Sequence, residues 1–114
     1  MEDCIFCKII NKEIPAEIIY ENEFAVVIKD IHPQASVHVL VIPKKHIKDI
    51  NYIDEMFSAD LLGIHLAVKE AAKVLCVSES GYRLISNCGK NAGQSVFHLH
   101  YHLIAGSNLG EKLL

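Results

Sequence analysis

The chain has 114 residues, with 11 lysines and arginines against 14 aspartates and glutamates, which gives a formal net charge of −3 at pH 7. This length suits a single domain with one modest core, taken as residues 1–114, and the slightly acidic balance argues against nucleic-acid binding through a broad basic face. The sequence shows no recognisable signal peptide and no run of about 18 apolar residues, so we expect a cytoplasmic protein without a membrane partner.

The first half of the chain predicts a short helix, a hairpin and a further strand. Apolar residues at near-helical spacing in residues 4–11 indicate the helix, which ends before Pro15. Apolar and β-branched runs separated by polar turns indicate the strands, and Pro43 closes the last of them. These strands are predicted at residues 18–20, 24–29 and 36–42.

The second half predicts a long helix and two more strands. Apolar residues in 54–77 spread over more than one helical stripe, so this helix is expected to be buried on more than one side, against the sheet and against another subunit. Strands at 82–87 and 95–104 follow, joined by a glycine-containing loop at 88–94. This order of elements favours an α+β fold with an antiparallel five-stranded sheet, one short helix and one long helix.

Three histidines at alternate positions, His98, His100 and His102, are the clearest chemical signal in the chain. On a strand that rises about 3.3 Å per residue they share one face, with neighbouring imidazoles roughly 6–7 Å apart. Histidine titrates close to neutral pH and serves as nucleophile, acid, base or metal ligand, so the row predicts a functional site. One alternative is a zinc ion bound by all three imidazoles, and another is a set of merely tolerated polar residues.

The N-terminal cysteines Cys4 and Cys7 form a C-x-x-C pattern. In a reducing compartment this pattern favours a metal site or a redox pair over a structural disulfide. A redox motif normally follows a strand, whereas this one stands at the start of the chain, so metal binding is the favoured interpretation. Cys76 and Cys88 are interpreted as inert or core thiols.

The loop before the histidine row offers hydrogen-bond donors that suit a phosphoryl group. If the last two strands pair as a hairpin, Asn87 returns close to the start of the histidine strand. Gly89 and Gly93 allow backbone N–H groups to approach an oxyanion closely, and Ser95 adds a hydroxyl.

The row from His98 to Ile104 resembles the signature of the histidine triad superfamily, in which three histidines alternate with apolar residues and two apolar residues follow. The resemblance extends over nearly the whole chain, through the segments CIFCKII, EIPA, DIHPQA, VIPKKH and GQSV. These segments are similar to those of the histidine triad nucleotide-binding branch. The resemblance implies an antiparallel sheet with a long helix, assembled as a two-fold dimer with a continuous sheet.

The resemblance also implies a role for each of several polar residues. His100 matches the nucleophile that attacks the α-phosphorus of a nucleotide derivative and becomes nucleotidylated, before water or another acceptor releases the nucleotide. The attacking nitrogen must be free, so the other ring nitrogen should donate to a backbone carbonyl. His102 is implied at the phosphate, Ser95 near the leaving group and Asp30 at the ribose hydroxyls. His38 matches a histidine that supports the triad from behind, with a satisfied core histidine as the alternative.

The remaining nucleotide contacts implied by the resemblance fall into two sets. The base slot comprises Ile19, Tyr20, Ile28 and Ile31. The phosphate side comprises Asn87, Gly93, Gln94, Ser95 and Val96.

For superfamily members that keep the C-x-x-C, the resemblance implies a structural zinc ion, held here by Cys4, Cys7, His46 and His98. Two thiolates and two imidazoles make a closed tetrahedral site, which is structural and not catalytic. Such a zinc ion connects the N-terminal helix and the turn at 43–46 to the histidine strand. The alternative is a pair of free thiols beside a solvated turn.

Together these patterns predict a dimeric hydrolase or transferase acting on purine nucleotide phosphoramidates or related AMP derivatives. Two alternatives stay open: a hydrolase of dinucleoside polyphosphates, and a zinc-stabilised nucleotide-binding adaptor with vestigial activity. The presence of His100, Asn87 and Ser95 together favours the enzyme over the adaptor.

Overall fold

The computed structural model describes residues 3–113, and its strands pair into a five-stranded antiparallel sheet of order β1-β2-β3-β5-β4. The helices are α1 (Ile5–Ile10) and α2 (Ser58–Val74), and the strands are β1 (Ile18–Glu21), β2 (Ala25–Lys29), β3 (Val37–Pro43), β4 (Tyr82–Ile85) and β5 (Tyr101–Ala105). The predicted α+β class, with one short and one long helix, is confirmed.

The two helices cover opposite faces of the sheet, because successive side chains of a strand point to alternate sides. On one face, Val39 and Leu103 pack with the buried side of α2. On the other face, Leu40 and Ile42 pack with α1. His102 lies directly opposite Leu40 in the β3–β5 register, so its side chain is on the α1 face.

The last strand is shorter than the predicted 95–104 and covers only Tyr101–Ala105. Its ladder with β3 begins at the pair Val41–Tyr101. If the ladder continued in the same register, Pro43 would lie opposite Leu99. Proline has no N–H to donate, and the Pro43 carbonyl instead accepts from the ring of His98 at 2.8 Å. The first two histidines of the row therefore lie in an irregular segment before the strand.

Helix α2 begins at Ser58, later than the predicted residue 54, because two single turns precede it at Ile50–Tyr52 and Glu55–Phe57. Its sheet-facing side is buried, whereas Leu62 and Leu66 on the other side are 63% and 45% exposed. The expected second apolar face thus exists, and its burial against another subunit stays a prediction. Between residues 3 and 113 no helix is both long and apolar enough to cross a membrane.

Candidate active site and metal centre

His100 lies immediately before β5, and its ring is oriented by the chain two residues earlier. Its Nδ1 atom lies 2.8 Å from the main-chain oxygen of His98. A carbonyl oxygen can only accept, so Nδ1 carries the ring proton and Nε2 carries the lone pair. A neutral imidazole with a free Nε2 lone pair is the form that attacks an electrophile.

A chain of hydrogen bonds sets the tautomer of His102. The backbone N–H of Gln34 donates to His38 Nδ1 at 2.9 Å, so neutral His38 carries its proton on Nε2. That Nε2 lies 2.9 Å from His102 Nδ1, which accepts and leaves the proton of His102 on Nε2. Burial, reinforced by the neighbouring rings of His100 and His38, lowers the pKa of His102. Near neutral pH, His102 therefore presents one N–H donor.

Asp30 lies at the end of the same chain of contacts. One carboxylate oxygen accepts from the backbone N–H of His32 at 2.7 Å, and the other lies 3.3 Å from His38 Nε2. The Ile31 side chain beside it is 86% exposed. Asp30 thus lies beside the histidine cluster, and the contacts of Asp30 with a ribose and of Ile31 with a base stay predictions.

Phe6, which sequence reasoning did not select, packs directly against the histidines. Its ring centroid lies 5.9 Å from that of His98 and 5.0 Å from that of His100, in both cases edge-on. The centroids of His100 and His102 are 5.3 Å apart. The position of Phe6 between the two cysteines was the sequence signal for this contact. Because Cys4 and Cys7 lie at the start of α1, the same turn of helix places the Phe6 ring beside the histidines.

The residues predicted to form the base slot lie on different faces of the sheet. Ile28 is buried on the α1 face with Phe6 and neighbours of α1. Ile19 and Tyr20 instead pack on the α2 face, away from His102, and we remove both from the candidate site. The register of β1 shifts between Ile18 and Tyr20, so Ile19 is a bulge residue, and alternation along the sequence gives no sign of a bulge.

The loop between β4 and β5 carries the residues predicted on the phosphate side, and the Gly93 N–H within it donates to the Lys90 oxygen at 3.0 Å. Gly89 and Gly93 flank a single helical turn with φ of 86° and 82°, a region that glycine enters without steric cost. Asn87 is half-buried and Ser95 is exposed, and their contacts with a phosphate stay predictions. The hydroxyl of Ser86 donates to the main-chain oxygen of His100 at 3.1 Å, which connects the loop to the nucleophile candidate.

The Gln94 side chain is buried and its polar atoms are bonded within the protein. Its Oε1 accepts from the Gly89 N–H at 2.8 Å, and its Nε2 donates to the oxygens of Lys48 and Val96, each at 3.0 Å. The Gln94 side chain therefore positions the loop and is not available to a ligand, a correction to its place among the nucleotide contacts. The backbone of Val96 is held by the same side chain.

The four predicted metal ligands meet although they come from three separate segments. The Sγ atoms of Cys4 and Cys7 lie 3.4 and 3.6 Å from His98 Nδ1, and Cys7 Sγ lies 3.3 Å from His46 Nδ1. The two Nδ1 atoms are 3.1 Å apart, and all four ligand atoms lie within 4.8 Å of one another. Tetrahedral bonds of about 2.3 Å to sulfur and about 2.0 Å to nitrogen place such atoms about 3.5 Å apart. The geometry fits a tetrahedral ion such as zinc.

The protonation chemistry of this cluster also fits a metal. Burial lowers the pKa of His98 to about 4, so its ring is neutral, and its Nε2–H donates to the Pro43 oxygen and leaves the Nδ1 lone pair for a ligand bond. Burial and the neighbouring Cys4 raise the pKa of the Cys7 thiol to about 11. A divalent cation offsets that cost, because it stabilises the thiolates that bind it.

Comparison with known proteins places this chain among close relatives. The HIT domain family matches residues 11–109. The purine nucleoside phosphoramidase of Escherichia coli K12 is 38% identical over 112 residues, which cover 98% of this chain and 94% of that protein. A solved HIT family hydrolase from Clostridium thermocellum superposes with a TM-score of 0.96 at 53% identity, covering 100% of this chain and 99% of that chain. A histidine triad protein from Clostridium difficile gives a TM-score of 0.92 at 40% identity, covering 98% and 97% of the two chains.

Proposed function

The chain belongs to the HIT domain family, and on that premise we propose that it is a hydrolase of purine nucleotide phosphoramidates that acts through a nucleotidyl-His100 intermediate. The observation that carries this proposal is the 2.8 Å contact from His100 Nδ1 to the His98 oxygen, which leaves the Nε2 lone pair for attack. The phosphoramidase name of the Escherichia coli relative supports the substrate class.

In the first step, the Nε2 lone pair of His100 forms a bond to the α-phosphorus, and the bond from phosphorus to the leaving nitrogen breaks. The leaving nitrogen keeps that electron pair and takes one proton from water at the exposed Ser95 edge. The imidazole then carries a positive charge. Its Nδ1–H, which already donates to the His98 oxygen, stabilises that charge as it develops.

In the second step, water attacks the same phosphorus, and the bond from phosphorus to His100 Nε2 breaks with return of its electron pair to the ring. The attacking water releases one proton, which balances the proton taken up in the first step. His102 donates its Nε2–H to a non-bridging phosphoryl oxygen in both steps, since His38 holds its Nδ1 as an acceptor.

Nucleotide binding is assigned to the groups around this centre. Asp30 accepts from the ribose hydroxyls, and Ile28 and Ile31 contribute to the base slot. The loop supplies phosphate-side donors. These are the Asn87 amide, the Ser95 hydroxyl and the backbone N–H groups of Ser95 and Val96, since the Gly93 N–H already donates to the Lys90 oxygen at 3.0 Å.

The metal centre has a structural role in this proposal. Zinc bound by Cys4, Cys7, His46 and His98 supplies a cross-link between segments and takes no part in bond breaking. A zinc site with four protein ligands is structural, whereas a catalytic zinc site keeps one position open for water or substrate. A cytoplasmic location is part of this proposal, because a C-x-x-C that binds metal suits a reducing compartment.

The mechanism is tested by incubating wild type, His100→Ala and His65→Ala with AMP-lysine, and trapping any adduct by acid quench for mass spectrometry. We expect an AMP adduct on wild type and on His65→Ala, which changes an exposed histidine of α2. His100→Ala should form no adduct and lose activity by about 10³-fold or more. Turnover retained in His100→Ala contradicts the mechanism.

The same proteins distinguish the substrate class when they are offered diadenosine polyphosphates. Preferred cleavage of AMP-lysine supports the phosphoramidase. Preferred cleavage of the polyphosphates identifies the alternative hydrolase. Nucleotide binding without turnover of either substrate identifies an adaptor.

A further inference from the structure

We propose that the Cys2His2 cluster (Cys4, Cys7, His46 and His98) positions His100, so that a metal bound there selects the ring tautomer of the nucleophile. The inference rests on the proposed nucleophilic role of His100. The HIT domain match covers residues 11–109, so His46 and His98 lie inside the matched region and the two cysteines lie before it.

One residue takes part in both sites. The ring of His98 reaches the cluster, where Nδ1 lies 3.1 Å from His46 Nδ1, while its main-chain oxygen accepts from His100 Nδ1 at 2.8 Å. A shift of the His98 ring therefore moves the carbonyl that selects the His100 tautomer.

The peptide group between His98 and Leu99 is held from both sides. Its oxygen faces His100, and its N–H donates to the Ile47 oxygen at 2.6 Å. Because a peptide group is planar, the direction of the N–H bond fixes the direction of the oxygen. Ile47 follows His46, and the peptide group itself begins at His98. Both the acceptor of its N–H and the residue that supplies its oxygen therefore adjoin or belong to the metal cluster.

The sheet does not provide this anchoring, because His98 and His100 precede β5. In the β5 ladder, the orientation of each peptide group is fixed by pairing with β3 and β4. In the segment before it, metal–ligand bonds replace weak sulfur–nitrogen contacts of 3.3–3.6 Å, and the segment becomes more rigid.

Helix α1 gives a second, direct connection. Phe6 lies between the two cysteines, and its ring packs edge-on against His100 with centroids 5.0 Å apart. A metal that binds Cys4 and Cys7 fixes the position of this ring. Phe6 is therefore a positioning residue, and the loss of the metal should loosen the packing around the nucleophile.

The test measures the ring nitrogens of His100 directly and needs no turnover. Correlation spectra of the imidazoles are recorded on uniformly ¹⁵N-labelled protein at about pH 8.5, two units above the ordinary pKa of histidine, so that rings are neutral. We expect zinc-loaded protein to show His100 as the Nδ1–H form. Chelator-treated protein and Cys7→Ser should show a mixture of both tautomers, with the two ring nitrogen signals displaced toward each other.

Two controls separate coupling from general disturbance. Cys76→Ser, which changes an exposed thiol outside the cluster, should match wild type. His65, whose Nδ1 lies 2.8 Å from the Leu61 oxygen on α2, should keep its signals in every sample.

A comparison of folded, metal-loaded forms covers the case in which the metal-free protein unfolds. Exchange of zinc for the larger Cd²⁺ should displace the His100 ring signals and leave those of His65 in place. Identical His100 signals in the zinc and cadmium forms overturn the inference, as does an unchanged tautomer in folded, chelator-treated protein. If His100 is not the nucleophile, activity assays of His100→Ala reveal it, whereas these spectra still report the coupling.

Discussion

The Nε2 atom of His38 on β3 lies 2.9 Å from the Nδ1 atom of His102 on β5. His38 is bonded at its other nitrogen by the Gln34 backbone N–H at 2.9 Å, so it must be the donor in this pair. A backbone amide thus determines, through two rings, which nitrogen of His102 carries a proton toward the site.

This arrangement predicts that His38→Leu lowers kcat for AMP-lysine while the protein stays folded. Leucine cannot donate to His102 Nδ1, so His102 is free to change tautomer and lose its donor to the phosphate. The loss of one hydrogen bond to the half-buried His102 ring costs about 1–3 kcal/mol, or about 5–150-fold in rate. Steady-state kinetics measures it, with His65→Leu as the control. An unchanged kcat contradicts a role for the hydrogen bond from His38 to His102 in the mechanism.

The metal centre predicts about one zinc ion per chain in protein purified without chelator. Cys4→Ser should reduce the zinc content to a small fraction, because Cys4 is one of only two sulfur ligands. Elemental analysis measures the content, and Cys88→Ser, a thiol outside the cluster, should keep it. Zinc-free wild type prepared in this way rules out the centre.

The burial of His98 predicts a pH-dependent stability of metal-free protein. Its pKa is lowered from 6.5 to about 4, so the unfolded state binds more protons between these values. The free energy of unfolding therefore rises with pH in this window. The contribution from neutral His98 is fully present above about pH 6.5 and is lost as the pH falls toward about 4. The lowered pKa of His102 acts in the same direction.

Urea unfolding of chelator-treated protein at several pH values measures this effect. We expect a decrease of up to about 3 kcal/mol from His98 alone. A His98→Asn variant should show a shallower pH dependence. Equal slopes in the two proteins contradict the assignment to His98.

The buried Gln94 predicts that Gln94→Leu disturbs the loop more than it disturbs the core. The Gly89 N–H and the oxygens of Lys48 and Val96 lose their partner, at a cost of about 1–3 kcal/mol in unfolding free energy. The KM for AMP-lysine should rise because the phosphate-side donors lose their arrangement. Asn91→Leu, an exposed change in the same loop, is the control. A normal KM in Gln94→Leu contradicts a positioning role.

The exposed face of α2 and the free edge of β4 predict a homodimer. Leu62 and Leu66 leave apolar surface in solvent, and β4 is an edge strand of the sheet. Leu62→Glu with Leu66→Glu should convert the dimer to a monomer in sedimentation equilibrium, whereas Lys69→Glu, an exposed charge on the same helix, should not. A monomeric wild type disproves the dimer.

The sequence by itself determined the order of elements, the α+β class, the C-x-x-C and the histidine row. Each of these is a local pattern, since strand alternation, helical spacing and residue chemistry repeat over a few positions. The ends of the elements were less well defined. The last strand was predicted at 95–104, but in the structure it begins six residues later, at Tyr101. The reason is that Pro43 and the His98 ring interrupt the ladder.

Only the tertiary structure decided which face a residue occupies and what it touches. The bulge at Ile19 turns Ile19 and Tyr20 to the α2 side, and the Gln94 side chain bonds to backbone groups up to 46 positions away. Cys4 and His98, 94 positions apart, meet in one cluster. Such contacts depend on how whole elements pack, so no short window of sequence contains the distances that make His98 a link between the metal centre and the nucleophile.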